Sequence, residues 1–301
     1  MPKQRQAVDA KRVVQMPPVK PQVVQPAIEK DGERYIVPAL RRGLQILEMF
    51  AGTRRVITVP EITATLRISR ATAFRLAYTL EALGYIERLP NANAFRLGQQ
   101  SLAVSFDYLY SLDVVDIARP MLEVLRDRTG ATATLGIRHS TVVFYVLSAT
   151  SQHKWISSLI VPTGTRFPVH AVSCGRALLF DLPDSELDAL FANGFDFTVC
   201  ARPAPQNLAE LKAMLVKERR KGYVSCQSVF VQDKRSVAAP VRDANGYAVA
   251  AVSVSDVVEL VKDPDGAIKD EVLATAAAIS ARLGYRPAPP TLVRMASGAG
   301  R

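Results

Sequence analysis

The sequence has few of the residues that build disulfide frameworks and metal sites. Its 301 residues include three cysteines, Cys174, Cys200 and Cys226, which are widely spaced and form no CxxC pair. This spacing argues against a disulfide scaffold and against a structural zinc site, and it fits a reducing compartment. With three histidines in the chain and no neighbouring ligand motif, we predict neither a metal nor a cofactor.

Long apolar runs are also missing. No run reaches the roughly 18 residues of a membrane-spanning helix. The N-terminal segment is basic and rich in proline and glutamine, and it lacks the apolar core of a signal peptide. These absences predict a cytoplasmic protein with no membrane partner.

What the sequence does have is positive charge, which is concentrated at one end. The net charge is +10, and 49% of the residues are hydrophobic, enough for two domain cores. Residues 1–34 carry seven basic and four acidic side chains, and residues 35–98 carry nine and four. The first 98 residues therefore carry a net charge of +8, which favours an N-terminal part that binds nucleic acid over one that binds a membrane.

Both ends of the chain have compositions that resist folding. Residues 1–34 contain five prolines among glutamine, lysine and valine, which predicts a disordered basic arm. This arm either adds weak non-specific DNA affinity or is a plain flexible tail. Residues 286–301, rich in proline, glycine and serine, are expected to form a flexible tail.

The stretch 66–84 predicts a DNA recognition helix. Ser69 is a good N-cap and Gly84 a good C-terminal residue. Helical spacing places Ala73, Leu76, Leu80 and Leu83 on an apolar stripe. The opposite arc is basic and aromatic, with Arg70, Ala71, Phe74, Arg75 and Tyr78. Taken alone, this arc also fits an ordinary solvated face.

The flanking segments support the DNA reading. A helix after Pro38 has Leu40, Leu44, Leu47 and Phe50 at helical spacing, residues 56–59 form a short strand, and a second helix opens at Pro60. Residues 85–89 and 94–97 form a hairpin. This order predicts a winged helix-turn-helix over residues 35–98 that binds double-stranded operator DNA.

Each part of this module has an expected contact with DNA. Arg70 and Arg75 suit guanine edges or nearby phosphates, Thr72 suits a hydrogen bond near the cap, and Phe74 suits a thymine methyl. Ala71 shares their face, and Tyr78 is expected to touch the DNA backbone. Flanking phosphates are expected to meet the wing arginines, Arg88 and Arg96.

Residues 99–113 predict a linker helix that is unusually apolar. Leu102, Phe106 and Leu109 lie at helical spacing beside Tyr108 and Tyr110. Because DNA half-sites are commonly paired by a two-fold axis, we expect this helix to form a dimer contact; packing on its own domain is the alternative.

Residues 114–285 alternate helices and strands. The predicted strands cover 131–137, 141–148, 155–161, 236–242 and 247–255, and the predicted helices cover 114–129, 183–191, 208–221 and 268–283, with a further helix growing out of 170–181. The hairpin at 243–246 carries an Asn-Gly turn. The class is α+β, with a mainly antiparallel sheet.

Seven segments carry a recognisable pattern, namely 37–44 (VPALRRGL), 80–86 (LEALGYI), 95–98 (FRLG), 118–122 (ARPML), 168–179 (PVHAVSCGRALL), 236–243 (SVAAPVRD) and 250–255 (AAVSVS). In these segments the chain resembles an IclR-family transcriptional regulator. The resemblance implies a winged helix-turn-helix, a linker helix and a GAF-like effector domain. It also implies a homodimer or dimer of dimers that responds to a small organic acid, with an RNA polymerase contact if the protein activates.

The resemblance also implies effector-binding positions, namely Ser173, Cys174, Cys226, Ser236, Ser253 and Ser255. Small hydroxyls and thiols donate hydrogen bonds without filling a cavity. At residues 224–228 (VSCQS) the chain departs from the acidic run of many relatives, and Ser236 replaces a common cysteine, which disfavours a glyoxylate-like effector. These features are similar to the aromatic-catabolism branch of protocatechuate and β-ketoadipate regulators.

Two alternatives depend on the spacing of His170 and Cys174, four residues apart. A Cys/His pair would indicate an enzyme that processes a metabolite or thiol. A thiol with a lowered pKa at a helix N-terminus would make Cys174 a redox switch. Against both stands a structural histidine beside a small pocket residue.

Overall fold

The computed structural model describes residues 33–50, 54–90, 92–151, 161–192, 195–230, 234–257 and 266–287. Most of the predicted N-terminal arm, of the predicted strand at 155–161 and of the predicted C-terminal tail lies outside these residues. Within them, no helix combines the length and apolar character needed to cross a bilayer.

The first module is a winged helix-turn-helix, as predicted. Its elements are α1 (Pro38–Glu48), β1 (Ile57–Thr58), α2 (Val59–Leu66), α3 (Arg70–Ala82), β2 (Ile86–Arg88) and β3 (Ala94–Leu97). The three strands form an antiparallel sheet in the order β1-β3-β2. Burial of Ile46, Ile62, Ala77 and Phe95 in one cluster fixes the three helices against the sheet.

Local capping residues determine where the two helices of the helix-turn-helix, α2 and α3, begin. Thr58 and Glu61 form a capping box, in which Thr58 N–H donates to the Glu61 carboxylate at 2.7 Å and Glu61 N–H donates to Thr58 Oγ1 at 3.4 Å. Because of this box, α2 begins one residue before the predicted Pro60. Arg67 then turns the chain at φ 52°, and Ser69 caps α3 by accepting from Thr72 N–H at 3.2 Å.

Two predicted apolar stripes were partly wrong. Leu40 and Leu44 are 63% and 53% exposed, because α1 turns the face of Ile46 inward instead, whereas Phe50 of the predicted stripe is buried. Leu83 is 61% exposed, since α3 ends at Ala82 and Leu83 is the C-cap residue.

The linker helix α4 (Gln99–Tyr110) is followed by α5 (Asp113–Thr129), which ends at Gly130 with φ 69°. No residue of α4 is buried. Five of its large apolar side chains are exposed by 46% to 71%, namely Leu102, Val104, Phe106, Tyr108 and Tyr110. Leu109 packs against the core of the second domain.

The second domain is α+β, as predicted. Its strands are β4 (Thr132–His139), β5 (Val142–Ala149), β6 (Arg166–Pro168), β7 (Val224–Gln227), β8 (Lys234–Arg242) and β9 (Ala248–Val257). Its remaining helices are α6 (Ser173–Ala177), α7 (Asp184–Phe191), α8 (Leu208–Lys221) and α9 (Ala267–Arg282). The sheet order is β6-β5-β4-β9-β8-β7, and all the pairs are antiparallel.

Successive residues of the central strands serve two different cores. Val237 and Val252 face the cluster formed with α5 and α9, whereas Ala238 and Ala251 face the cluster formed with α6, α7 and α8. Ser236, Ser253 and Ser255 follow the parity of this second face. The strand alternation therefore places these serines together on the α6 side of the sheet.

The sequence missed two strands and overestimated one helix. The strands β6 and β7 are three and four residues long, too short to show a clear alternation of apolar side chains. The helix expected within 170–181 is α6 alone, five residues long, and the chain continues in turns with i→i−3 hydrogen bonds at Leu179 and Phe180.

Candidate functional site

The outward face of α3 presents the side chains that the sequence assigned to DNA. Arg70, Ala71 and Arg75 are exposed. Phe74 and Tyr78 are 50% and 61% exposed, and their rings stack at 6.4 Å between centroids. Along the described residues neither Arg70 nor Arg75 has an ion-pair partner, so both guanidinium groups are available to a polyanion.

Thr72 has a different position from its neighbours on α3. It is half-buried, its N–H bonds to Ser69, and the two hydroxyl oxygens lie 2.9 Å apart. This side chain is already engaged in the cap.

The two wing arginines are held by glutamates of the same module. Arg88 donates to both carboxylate oxygens of Glu81, at 3.1 and 2.8 Å, and lies over the ring of Phe95. The bond to Glu81 raises the pKa of Arg88. Arg96 donates to Glu87 at 2.9 and 2.8 Å. Both arginines are exposed, but a phosphate must compete with these carboxylates.

The C-terminal end of α3 is joined directly to the linker helix. Gly84 has φ +75°, and its carbonyl accepts from Gln100 N–H at 3.1 Å. Tyr85 O accepts from Gly98 N–H at 2.8 Å and from Ser101 Oγ at 2.9 Å. A displacement of α4 therefore acts on the end of α3 through backbone hydrogen bonds.

The second site is a small cavity of about 50 Å³ on the α6 side of the large sheet. Four of the six predicted effector positions line it, namely Cys226, Ser236, Ser253 and Ser255. Ser173 lies beside them and donates to Ser236 Oγ at 2.8 Å. Cys226 Sγ and Ser236 Oγ are 3.5 Å apart, and Ser253 shares a hydrogen bond of 2.7 Å with Thr134.

Cys174 does not belong to this lining. Its side chain is fully buried, and its Sγ donates to Ala251 O at 3.4 Å. Burial raises the pKa of the thiol to about 12. The predicted lowering of this pKa was wrong, because α6 turns Cys174 into the sheet rather than toward solvent, and the redox alternative loses its basis.

His170 is buried in an aromatic cluster. Its ring centroid lies 5.1 Å from that of Phe195 and 5.1 Å from that of Phe197. Burial lowers the pKa of His170 to about 4, so the ring is neutral near pH 7. A neutral, enclosed imidazole and a protonated, buried thiol do not make a nucleophilic pair.

Sequence reasoning missed the aromatic and charged parts of the cavity wall. Tyr145, Phe167 and Phe230 line it, with ring centroids 5.7 Å apart for Tyr145–Phe167 and 4.7 Å apart for Phe167–Phe230. Lys234 and Arg235 also line it. Lys234 is 2% exposed and pairs with Asp256, which is 0% exposed, at 3.2 Å. A lysine at the end of a strand is ordinarily predicted to face solvent, so the sequence did not indicate that Lys234 is buried.

Comparisons with known proteins match both parts of the chain. The IclR helix-turn-helix domain matches residues 39–90, and the C-terminal domain of the bacterial transcriptional regulator IclR matches residues 106–281. The HTH-type transcriptional regulator XynR of Escherichia coli strain K12 is 29% identical over 251 residues, which is 83% of this chain and 98% of XynR.

Solved structures share the architecture. An IclR transcriptional regulator from Alicyclobacillus acidocaldarius superposes with a TM-score of 0.72 at 23% identity, covering 83% of this chain and 100% of that one. An IclR homologue from Microbacterium hydrocarbonoxydans, complexed with 4-hydroxybenzoate, superposes with a TM-score of 0.67 at 20% identity, covering 81% and 98%.

Each matched domain contains one candidate site: the helix-turn-helix domain contains the α3 face, and the C-terminal domain contains the cavity. They are domains of regulators, so the enzyme alternative at His170 and Cys174 is not supported. The chain therefore belongs to the IclR family of bacterial transcriptional regulators, which bind DNA through the N-terminal helix-turn-helix and a small-molecule effector through the C-terminal domain.

Proposed function

We propose that a homodimer of this chain binds an operator through residues 35–98, and that a small organic acid bound in the cavity of residues 114–285 changes the affinity for that operator. The linker, residues 99–113, transmits the change. The observation that carries this proposal is the backbone junction in which Gly84 and Tyr85, after α3, accept hydrogen bonds from Gly98, Gln100 and Ser101, at the start of α4.

The DNA contacts that we propose lie on one face of α3 and on the wing. Arg70 and Arg75 read base edges or phosphates, Phe74 contacts a thymine methyl with Ala71 beside it, and Tyr78 contacts the DNA backbone. The exposure of these side chains supports the proposal. Thr72 contributes through the cap, which orders the first turn of α3.

Arg88 and Arg96 are proposed as phosphate contacts of the wing, and the strength of these contacts depends on competition with their carboxylate partners. Exposed ion pairs are worth only about 0–1 kcal/mol, so a phosphate can replace or share Glu81 and Glu87. The wing then contributes affinity that depends on salt rather than sequence specificity.

We propose that α4 packs against a second copy of the chain. Without this contact the apolar side chains of α4 would face water, among them Phe106 and Tyr110, whose rings stack at 6.2 Å. Leu40 and Leu44 on α1 add exposed apolar surface. The assembly is a homodimer or a dimer of dimers, works in the cytoplasm where its DNA is, and contacts RNA polymerase if it activates.

The effector that we propose is a small organic acid held by Ser173, Cys226, Ser236, Ser253 and Ser255. An aromatic acid is favoured by the aromatic wall, and the Microbacterium homologue of the same fold holds 4-hydroxybenzoate. A cavity of about 50 Å³ is far below the several hundred Å³ of typical ligand sites. The effector must therefore open the cavity, and this movement is the proposed source of the signal.

The test is binding of the purified full-length chain to its own upstream intergenic DNA and to a scrambled duplex at moderate salt, with and without aromatic and aliphatic acids. We expect tighter binding to the intergenic DNA and a shift in affinity with one acid class. Equal affinity for both duplexes under every condition would refute the proposal. Arg75→Ala should weaken operator binding about 5- to 100-fold, the range of a lost base contact, whereas Arg220→Ala, an exposed arginine of α8, should not.

A further inference from the structure

We propose that Lys234 is the group that recognises the carboxylate of the effector, and that the cavity selects aromatic monocarboxylates. This inference deepens the proposed function and rests on it. Lys234 lies at the first position of β8, two residues before Ser236, and its side chain is 2% exposed yet lines the cavity.

The hydrogen bonding of Lys234 leaves donors for a ligand. An ammonium group has three N–H donors and is costly to bury unless they are used. Across the described residues its one partner is Asp256, at 3.2 Å. Within the described part of the chain, two donors therefore remain on a buried cation at a cavity wall, and a carboxylate is the strongest acceptor that could take them.

The charge balance at the wall favours one negative charge. Lys234 and Arg235 both line the cavity, and Asp256, which is 0% exposed, pairs with Lys234. Among the described residues, two cationic residues thus stand against one carboxylate, which leaves room for a single carboxylate of the ligand. A dicarboxylate would bring a second charge against the walls of the cavity, which are mainly apolar.

The rest of the wall sets the shape of the ligand body. Three aromatic rings, those of Tyr145, Phe167 and Phe230, line the same space. Stacking on such rings favours a flat apolar body over a branched or heavily hydroxylated one. The cation and the rings together define an aromatic monocarboxylate.

The experiment compares each acid with its uncharged isostere. The probes are benzoate, 4-hydroxybenzoate and 3,4-dihydroxybenzoate, each paired with its amide, and dissociation constants are measured by calorimetry on the full-length chain. We expect at least one acid to bind about 10- to 100-fold more tightly than its amide, the range for hydrogen bonds to a charged group.

Three variants show whether Lys234 is responsible for this preference. Lys234→Met alone would leave the buried carboxylate of Asp256 without its ammonium partner, which destabilises a fold. The double variant Lys234→Met with Asp256→Asn therefore removes the cation without stranding the anion, and it should bind acid and amide about equally. Asp256→Asn alone leaves the buried ammonium without its carboxylate, so its folding is checked first by thermal unfolding. Because it removes the anion that competes with the ligand, it should bind the acid more tightly and the amide unchanged. Lys217→Met, an exposed lysine of α8, should keep the wild-type preference.

The results test the role of Lys234 and the proposed function separately. Equal binding of acid and amide by the wild type, a preference that survives in the double variant, or no binding of any of the three acids would overturn the role of Lys234. The proposed function is tested separately, by release or tightening of operator DNA with aliphatic acids. A chain that responds to an aliphatic acid but ignores the benzoates keeps the proposed function and loses this assignment.

Discussion

The backbones of Gly98 and Gly84 approach so closely that a Cβ on Gly98 would lie 2.2 Å from the carbonyl oxygen of Gly84. This contact joins the linker helix to the end of the recognition helix. Only a glycine at position 98 permits it, because the atom that a side chain would meet is backbone and cannot rotate away.

The first prediction is that Gly98→Ala loosens this junction. Overpacking of this kind costs typically about 1–3 kcal/mol in the free energy of unfolding, and the recognition helix should lose operator affinity with it. Denaturant unfolding and fluorescence anisotropy with operator DNA measure the two effects.

The control for Gly98→Ala is Gly43→Ala. A Cβ on Gly43, in the interior of α1, would meet nothing within 4 Å. This change should stabilise the fold by about 0.5–1 kcal/mol, because alanine loses less backbone entropy in a helix. If Gly98→Ala were as well tolerated as Gly43→Ala, the junction would not be a rigid link.

The second prediction concerns Glu81, which holds Arg88 at 2.8 Å. Glu81→Gln should remove the carboxylate that competes with the phosphate for Arg88, which tightens operator binding and steepens the salt dependence of log K by up to about 0.9, the value for one phosphate contact. Anisotropy titrations between low and moderate salt give this slope. Glu48→Gln removes an exposed charge from α1 and corrects for the change in net charge. Equal slopes in the two variants would count against a wing contact by Arg88.

Much of the fold could be read from the sequence because its signals are local. Ser69, Gly84, Gly130 and Gly222 mark helix ends where caps or positive φ angles occur in the structure. The hairpin around residues 243–246 formed where the Asn-Gly pair stands, with Gly246 at φ +87°. These features depend on a few neighbouring residues, so no tertiary information was needed.

Other features depend on tertiary packing and escaped the sequence. The orientation of α1, which buries Ile46 and leaves Leu40 exposed, is set by its contact with α3. The burial of Lys234 depends on a partner 22 residues away, Asp256. Three of the four predicted serines and Cys226 line the cavity, but the resemblance could not show that Cys174 faces the sheet.

The third prediction follows from the three thiols. Burial raises the pKa of Cys174 to about 12 and that of Cys200 to about 11, so at pH 8 their thiolate fractions are about 10⁻⁴ and 10⁻³. Cys226 is half-buried at the cavity wall. Iodoacetamide should therefore label Cys226 alone in the native chain and all three cysteines after denaturation, as counted by intact mass.

Cys226→Ser serves as the control for labelling, since this variant should take up no label while folded. An acid that occupies the cavity should slow the labelling of the wild type. Rapid native labelling of Cys174 would show that its side chain reaches solvent and would restore the redox alternative.

The fourth prediction is a loss of stability in mild acid caused by His170. Burial holds the pKa of this side chain at about 4 in the folded chain, whereas an unfolded histidine titrates near 6.5. Between these values the unfolded chain binds the proton and the folded chain does not, so stability present above pH 6.5 is lost as the pH falls toward 4. From pH 7.5 to pH 5 the loss from this residue is about 2 kcal/mol.

The matched variant for this titration is His170→Phe, which places a fourth phenyl ring among Phe191, Phe195 and Phe197. Urea unfolding at pH 7.5 and pH 5 gives the change in free energy for both chains. Other groups titrate in the same window in both, so the difference between the two changes isolates His170. The wild type should lose about 2 kcal/mol more than the variant. Equal losses would mean that His170 is protonated inside the fold, which would require an acceptor or water within the aromatic cluster.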